Sequence, residues 1–496
     1  IIMKTTDSFF LFTFLILSIF GFSQNIFLKR DYWKSNPSIE KIESDIELGN
    51  SPSQLNEYGF DPICYALLEK ADNESIIHLL QKKGNRINKI THDSRTYLFW
   101  AAYKNNLEIM NYLVKNGAKT NLTDSHGNTV MNFAASTGQS NKEIYEFCIM
   151  NGANPSSELN RNGANTLLIL SPYLRGDEML KYFISKGVDL NSVDTNGNGI
   201  FNYTARGGII SQLDLLISKG VDYVKPSNEN SNAFIYASQG KKNNLKIFQY
   251  LDSIGVNPKI ITKSGMTAMH SLPRKIDNLE IYDFFINKGV DINKLDNDGN
   301  TVLTNAAIYG EKELISFLLK NGANLNITNN DGQSPLMLAT RHNKSDVMKL
   351  IISNGGDLKV TDKKNNSITH YLIQSFSEKD TDSFDKKLDL LVENNINFNL
   401  NQSLGNTLLH EAVIKNNITL IKKLIQFKIP INHKNNNGYT ALHLAAMKAK
   451  NLEIISFLLN NGADKNIKTL FDESAYDLAS ENELLKKANI DLKLLM

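Results

Sequence analysis

Nine histidines carry most of the chemistry this chain could offer, as general bases or metal ligands. His410-Glu411 opens like the helix of a zinc protease, where two histidines one turn apart hold the metal and the glutamate activates water. The second histidine would have to stand at position 414, and Ile414 stands there. Asp296-Asn297-Asp298-Gly299 resembles part of a calcium loop. Such a loop needs an oxygen ligand first and a bidentate acid twelfth, and those places hold Lys294 and Asn305. Asn196-Gly197-Asn198-Gly199 could approach a phosphate closely, but no Gly-Lys-Ser/Thr follows it. Nucleophile elbows and Cys/His pairs with catalytic spacing are also absent from the sequence. These residues do not assemble into a catalytic or metal constellation. A non-enzyme without metal or cofactor is expected.

What positions these residues is a repeat. A glycine recurs at Gly84, Gly117, Gly152, Gly187, Gly220, Gly255, Gly289, Gly322 and Gly355, at intervals of 33, 35, 35, 33, 35, 34, 33 and 33 residues. The beat continues through Asn395 and Lys428, which stand where glycine would be, to Gly462. A period near 33 over nearly the whole chain means stacked supersecondary units rather than one core. A length of 496 residues also exceeds what a single core can organise.

Lys and Arg number 54 against 52 Asp and Glu, a net charge of +2. Nucleic-acid binding asks for a concentrated basic excess, so no nucleic-acid partner is expected. A hydrophobic content of 41% with 21% charged residues is that of a folded protein. Cys64 and Cys148 lie more than two periods apart, out of disulfide range in a stack where units touch only their neighbours. Both are expected to be buried structural thiols. Abundant Asn, Lys and Ile suggest AT-rich coding and a bacterial source.

Each period carries the same signals. A turn comes first, as at Asn162-Gly163, Asp298-Gly299, Asp331-Gly332 and Asn437-Gly438. A short helix follows, opened by a hydroxyl residue such as Thr129, Thr301, Ser334, Thr407 or Thr440 that can bond free amides at the helix start. Small residues such as Ala306-Ala307 and Ala445-Ala446 let neighbouring helices approach. The second helix has apolar residues at helical spacing, for example Leu314, Phe317 and Leu318, and the recurrent glycine ends it in a left-handed conformation. Pro172 and Pro273 fall where the second Ala is expected, so those first helices should end early or kink. The units around Ser231 and Asn366 lack the turn glycine, which puts their hairpins in question. The interval from Gly355 to Asn395 is 40 residues, and the polar stretch Ser375–Phe384 reads as a solvated loop between paired helices.

The phrases Thr440-Ala441-Leu442-His443-Leu444-Ala445-Ala446, Gly405-Asn406-Thr407-Leu408-Leu409-His410-Glu411-Ala412 and Asn321-Gly322-Ala323-Asn324-Leu325-Asn326 resemble those of ankyrin-repeat proteins. The resemblance covers about residues 37 to 480. It implies an all-α repeat solenoid of helix-turn-helix units with β-hairpin or loop connections, curved around a concave groove. The expected plan is a signal peptide at 1–23, a linker at 24–36, a capping half-repeat at 37–58, an array of about twelve repeats at 59–472 and a C-terminal cap at 473–496.

The N-terminus has the three-part layout of a secretory signal. Lys4 supplies the positive tip, Phe9 to Phe20 the apolar run, and Gly21-Phe22-Ser23 the small residues before Gln24. Export to the periplasm or beyond is expected. An uncleaved membrane anchor is the alternative, and only then would the membrane be a partner.

In ankyrin proteins the histidine of the first helix is structural, bonding backbone across adjacent units. The resemblance assigns that role to His270, His370, His410 and His443. Positions after the Ala-Ala pair face the groove in this family. Here they are Tyr103, Lys104, Tyr173, Arg206, Arg274, Lys275, Ile308, Tyr309, Arg341, His342, Ile414, Lys415, Met447 and Lys448, with no acid among them. One reading is solvated helix ends, where the helix dipole favours cations. The other is a basic, tyrosine-bearing groove for an acidic protein partner. The expected function is an exported, monomeric protein-binding scaffold. An immunity or accessory protein shielding an exported enzyme or toxin is the alternative. An effector or enzyme hidden in the repeats is the alternative from another class.

Overall fold

The computed structural model describes residues 25–240, 244–272 and 278–496. The signal-peptide reading at 1–23 lies outside the described residues. The chain divides into two compact units at Thr195/Asn196. Each is a succession of paired helices, and among the described residues there are no strands, only isolated bridge positions at Val193 and Gly199. The fold is an all-α repeat solenoid.

In the first unit the pair Tyr97–Tyr103 and Leu107–Lys115 is representative. The first helix is buried almost all round, from Tyr97 to Ala102, because it lies between neighbouring first helices. The second buries only Ile109, Met110 and Leu113, one stripe at helical spacing, and turns Glu108 and Lys115 outward. In the second unit Thr440 caps Ala441–Lys448, with all six residues to Ala446 buried, while Glu453–Asn460 buries Ile454, Ile455 and Leu458. One pair cannot cover both faces of its first helix, so a single unit would not be stable without its neighbours.

The expected hairpins form as tight loops joined by a ladder of single rungs. At most tips one backbone N–H donates to a carbonyl of the preceding tip, while Ser403 N donates to the Asn366 side chain. Ser125 N reaches Asp93 O at 2.7 Å in the first unit. In the second, Asn297 N reaches Ser264 O at 2.8 Å, Asn330 N reaches Asp298 O at 2.8 Å and Lys363 N reaches Asp331 O at 2.9 Å. Such single rungs fix register between neighbouring tips without a sheet edge. The turns that lack glycine close as well. Asn230 and Asn365 take φ of 53° and 64° in its place, a left-handed conformation that Asn tolerates. Asn395 and Lys428 likewise adopt φ of 53° and 50° at the helix stops.

Pro172 acts as expected. The helix Thr166–Leu170 ends early and runs into a 3₁₀ turn over Ser171–Tyr173. Pro273 lies outside the described residues, after the short helix Ala268–Ser271.

Two expectations are corrected. The stretch Ser375–Phe384 is not a loop throughout, because the second helix of its unit runs from Thr381 to Glu393, 13 residues. Asp380 caps it by accepting from Ser383 N at 3.1 Å, and Phe384 packs against Phe376 with ring centroids 5.1 Å apart. Phe384, Leu388 and Leu391 continue one buried face at helical spacing, so the surplus residues lengthen a helix. Residues 24–36, read as a linker, are folded from Asn25 on. Arg30–Lys34 is helical, Phe27 and Trp33 are fully buried, and the Trp33 indole donates to Phe27 O at 2.8 Å. Burying two aromatic rings outweighs the ordering of so short a segment.

Candidate functional site

The third residue of each first helix sits opposite its cap, and its identity decides what the cap can do. His270, His410 and His443 occupy this place beside Thr267, Thr407 and Thr440, each forming a reciprocal capping box. The threonine N–H donates to the histidine Nδ1 at 3.0, 3.2 and 3.1 Å respectively. That fixes the proton on Nε2, which donates onward to a backbone carbonyl of the next repeat. His270 reaches Lys294 O at 3.1 Å, His410 reaches Tyr439 O at 2.9 Å and His443 reaches Ile467 O at 3.0 Å. Burial holds all three imidazoles below their ordinary pKa, His410 at about 4. They are neutral structural staples.

His370 departs from the expected role. Its cap, Ser367, gives its N–H to Gln402 Oε1 of the following repeat at 2.8 Å instead. The imidazole turns to the next first helix and donates through Nδ1 to Glu411 Oε1 at 2.6 Å. Glu411 is buried, and its second oxygen Oε2 has no hydrogen-bond partner. The reason is local. Gln402 supplies an amide where the cap needs one, and Glu411 stands where other repeats carry Leu338 or Leu444, so the ring has a carboxylate to meet. Repeat spacing shows the slot of His370 but not its contact. Glu411 was legible only as an acid at a position that elsewhere holds neutral residues such as Leu338, Leu444, Asn305 and Ser271.

The first-helix ends fall in both units. In the first, Tyr103 and Lys104 pair as cation and ring, Nζ to centroid 5.2 Å, and Tyr173 OH donates to Ser136 O at 2.9 Å. In the second, Arg206, Arg341, His342 and Lys448 are exposed, Ile308 and Lys415 are half-buried, and Ile414 and Met447 are each 43% exposed. Lys415 Nζ donates to Gln374 O at 3.3 Å, a cation on the last carbonyls of a neighbouring helix. Tyr173 likewise satisfies a helix-end carbonyl through its hydroxyl, on Ser136 O, so at Lys415 and Tyr173 the side chain closes a neighbouring helix end. Arg274 and Lys275 lie outside the described residues. Of Tyr309 only the backbone is described, ending the helix Val302–Tyr309.

Lys387 escaped the sequence reading. It lies on the lengthened helix, is buried, and its ammonium donates to Thr340 O at 2.9 Å. Burial pulls its pKa down to about 8. Burial and the cations Arg341 and Lys387 lower that of His342 in turn. A mid-helix lysine looks solvated in sequence. Only the neighbouring helix end reveals why this one is not.

The chemistry-bearing candidates find ordinary places. Asp296 Oδ1 accepts the N–H groups of Asp298 and Asn300 at 3.0 and 2.8 Å, closing a hairpin tip. Cys64 and Cys148 are free and buried, and burial pushes Cys64 well up and Cys148 to about 12, far from thiolate reactivity at neutral pH. The cavity beside Cys148, lined by Leu98, Met131 and Phe147, measures about 10 Å³, room for one water at most.

Helix pairs, three of them capped by Thr-x-x-His and stapled through histidine to the next loop, with single backbone rungs between most neighbouring tips, define a class of modular interaction scaffold. The ankyrin-repeat signature, in its three-copy form, matches residues 49–163, 239–328, 268–362 and 363–469. The chain belongs to the ankyrin-repeat family. Alpha-latrotoxin-Lg1a of Latrodectus geometricus is 37% identical over 100 residues, 20% of this chain and 7% of the toxin. Alpha-latroinsectotoxin-Lt1a of Latrodectus tredecimguttatus is 25% identical over 445 residues, 88% of this chain and 24% of the toxin. This chain therefore spans less than a quarter of either relative's length. The human ASB11 ankyrin repeat domain matches with a TM-score of 0.39 and 22% identity, covering 47% of this chain and 98% of that domain.

Proposed function

We propose that the chain is a non-enzymatic scaffold that holds an acidic protein partner against the exposed ends of its first helices. The observation that carries this is the composition of those ends in the second unit. Arg206, Arg341, His342 and Lys448 are exposed and are interleaved with the apolar Ile414 and Met447. Cations set orientation and encounter rate, and exposed apolar and Arg side chains supply the anchors of most interfaces. A nearly neutral chain thus presents a one-signed surface where the family makes its contacts.

The scaffold acts as a monomer in an extracytoplasmic compartment. The apolar run Phe9–Phe20 followed by Gly21-Phe22-Ser23 supports export. Sequencing the mature N-terminus tests this directly. A start at Gln24 is expected, and an intact N-terminus in a membrane fraction would replace export with anchoring.

The binding reading is tested by capturing partners from envelope extract with the wild type and with Arg341→Ala/Met447→Ala/Lys448→Ala. Loss of the same band with the triple variant, and a fall of at least roughly ten-fold in affinity for the purified partner, are expected. Equal capture and equal affinity would reject it.

A further inference from the structure

The hairpin tips of the second unit lie side by side, and their character changes along the row. Lys363 N donates to Asp331 O at 2.9 Å, Ser403 N to Asn366 Oδ1 at 2.9 Å and Asn436 N to Leu404 O at 2.9 Å. A Cβ on Gly438 would lie 2.9 Å from Leu470 N, so the last tip rests on the one before it. The earlier tips expose Asp298 and Asp331. The last four, residues 361–366, 401–406, 434–439 and 468–473, expose Lys363, Lys364, Lys434 and Lys468 against the single exposed acid Asp472. Lys468 meets Asp477 at 3.6 Å, and among the described residues the other three lysines have no ion pair. The same tips carry Leu404, Leu470 and Phe471, which are 59%, 69% and 77% exposed. Other tips hold Asp298, Asp331 or Asn437 in the place of Leu404 and Phe471. Leu404 also has φ of 59°, a left-handed conformation that leucine adopts only at a cost. An exposed leucine in that conformation gives the fold nothing that asparagine would not, so its use lies outside the chain.

We propose that the tips of the last four repeats dock on an anionic lipid bilayer, with Leu404, Leu470 and Phe471 entering the headgroup layer and Lys363, Lys364 and Lys434 meeting lipid phosphates. The patch selects its occupant. Leu404 and the Leu470–Phe471 pair project from tips two repeats apart, about 20 Å at ordinary helix-packing distances. A protein would need a separate pocket for each, whereas the headgroup layer accepts any projecting apolar side chain. Each lysine near an anionic surface adds about five-fold in affinity, and Asp298 and Asp331 are repelled by it, which limits the contact to the last tips. Gly405 N and Phe471 N are already bonded within their own tips, at 3.0 and 3.2 Å, and so enter without free donors. The contact uses residues other than the first-helix ends that hold the protein partner, and it needs no part of the apolar run Phe9–Phe20.

The test uses the full chain with a readout local to the tip, so that attachment through any other segment does not count. Phe471→Trp is titrated with vesicles of brominated phosphatidylcholine, with and without about 30% phosphatidylglycerol. The unsubstituted chain supplies the background of the buried Trp33 and Trp100. On anionic vesicles the tip tryptophan is expected to shift to the blue and be quenched by bromine, and on neutral vesicles to bind at least roughly ten-fold more weakly. Lys363→Glu/Lys364→Glu in that background should weaken the anionic titration by roughly ten-fold or more. Leu404→Asn should weaken it roughly five-fold while melting no lower than its parent, since asparagine takes the left-handed turn more easily. A tip tryptophan that stays unshifted and unquenched at roughly millimolar anionic lipid, whether or not the chain sediments with the vesicles, overturns the proposal. Quenching that is equal on neutral vesicles, or untouched by the lysine reversal, overturns the anionic surface as its target. A tip tryptophan indifferent to vesicles but shielded from acrylamide by the protein captured from extract assigns the tips to the protein contact and overturns it as well, leaving the groove reading in place.

Discussion

Lowering the pH from 7 to 5 should loosen the array at His410 by a calculable amount. The imidazole is fully buried, with Nε2–H on Tyr439 O and Nδ1 accepting from Thr407 N. The bond accepted at Nδ1 requires the neutral ring with its proton on Nε2, and protonation of Nδ1 would set two N–H groups against each other. Burial first, then the nearby His433, hold its pKa at about 4 against an ordinary 6.5. A depressed pKa gives stability that is complete above 6.5 and lost as pH falls through 4, since the unfolded chain takes up the proton first. Linkage over that gap gives about 2 kcal/mol lost between pH 7 and pH 5. The assay is native-state amide exchange of the helix Leu408–Ile414, corrected for intrinsic rate, in the wild type and in His410→Gln. A solenoid opens locally, so a helix-level readout is needed rather than one global transition. The glutamine variant keeps a donor and an acceptor but cannot titrate. The wild-type opening free energy should fall toward that of the variant by about 2 kcal/mol as pH drops to 5. Parallel pH dependence in the two proteins would refute the assignment of a neutral, stapling His410.

Further outcomes follow from Lys387 and from the glycines. Lys387→Met should stabilise the helix Thr381–Glu393 by about 1–3 kcal/mol at pH 7, since it removes a buried ammonium with a single bond to Thr340 O. That advantage should shrink as pH rises from 8 toward 10.5, where the folded wild type sheds its proton before the unfolded chain does. Urea titrations at pH 7 and 9 read both effects. Gly332→Ala should cost more than about 1 kcal/mol, because φ there is +79° and a Cβ would lie 2.8 Å from Lys363 N, part of the rung between tips. Gly355→Asn should cost less than about 1 kcal/mol, because a Cβ there meets nothing within 4 Å and Asn395 already holds the same stop. Equal losses from the two glycine variants, measured by urea denaturation, would contradict the distinction between rung and stop.

Much of this architecture was legible because it is written locally and repeatedly. Thr407 and His410 are three residues apart, so their capping box needs no tertiary information. The same holds for the apolar stripe of Glu453–Asn460. What depends on a neighbouring repeat was harder to read. His370 has the sequence position of a staple, but Gln402 takes its cap and Glu411 draws its ring away, two residues from the following unit. Ser375–Phe384 looked like a loop because its polar residues dominate, yet Phe384 lies in register with Leu388 and Leu391 and continues the helix. Phe27 and Trp33 were passed over because the repeat does not extend to them. Three aromatics within seven residues, Phe27, Tyr32 and Trp33, were the available sign of a packed segment. The candidate groove positions come from family register, and only the structure separates Arg341 and Lys448, which are exposed, from Lys415, whose ammonium meets Gln374 O.

The central claim is that the ends of the first helices in the second unit bind a protein partner. Amide hydrogen exchange of the full chain with and without its captured partner measures this directly. Slowed exchange concentrated at residues 341–342, 414–415 and 447–448, with the outward faces of Ser345–Ser353 and Glu453–Asn460 unchanged, is the predicted result. Protection on those outward faces, with the first-helix ends exchanging as fast as in the free chain, would contradict it.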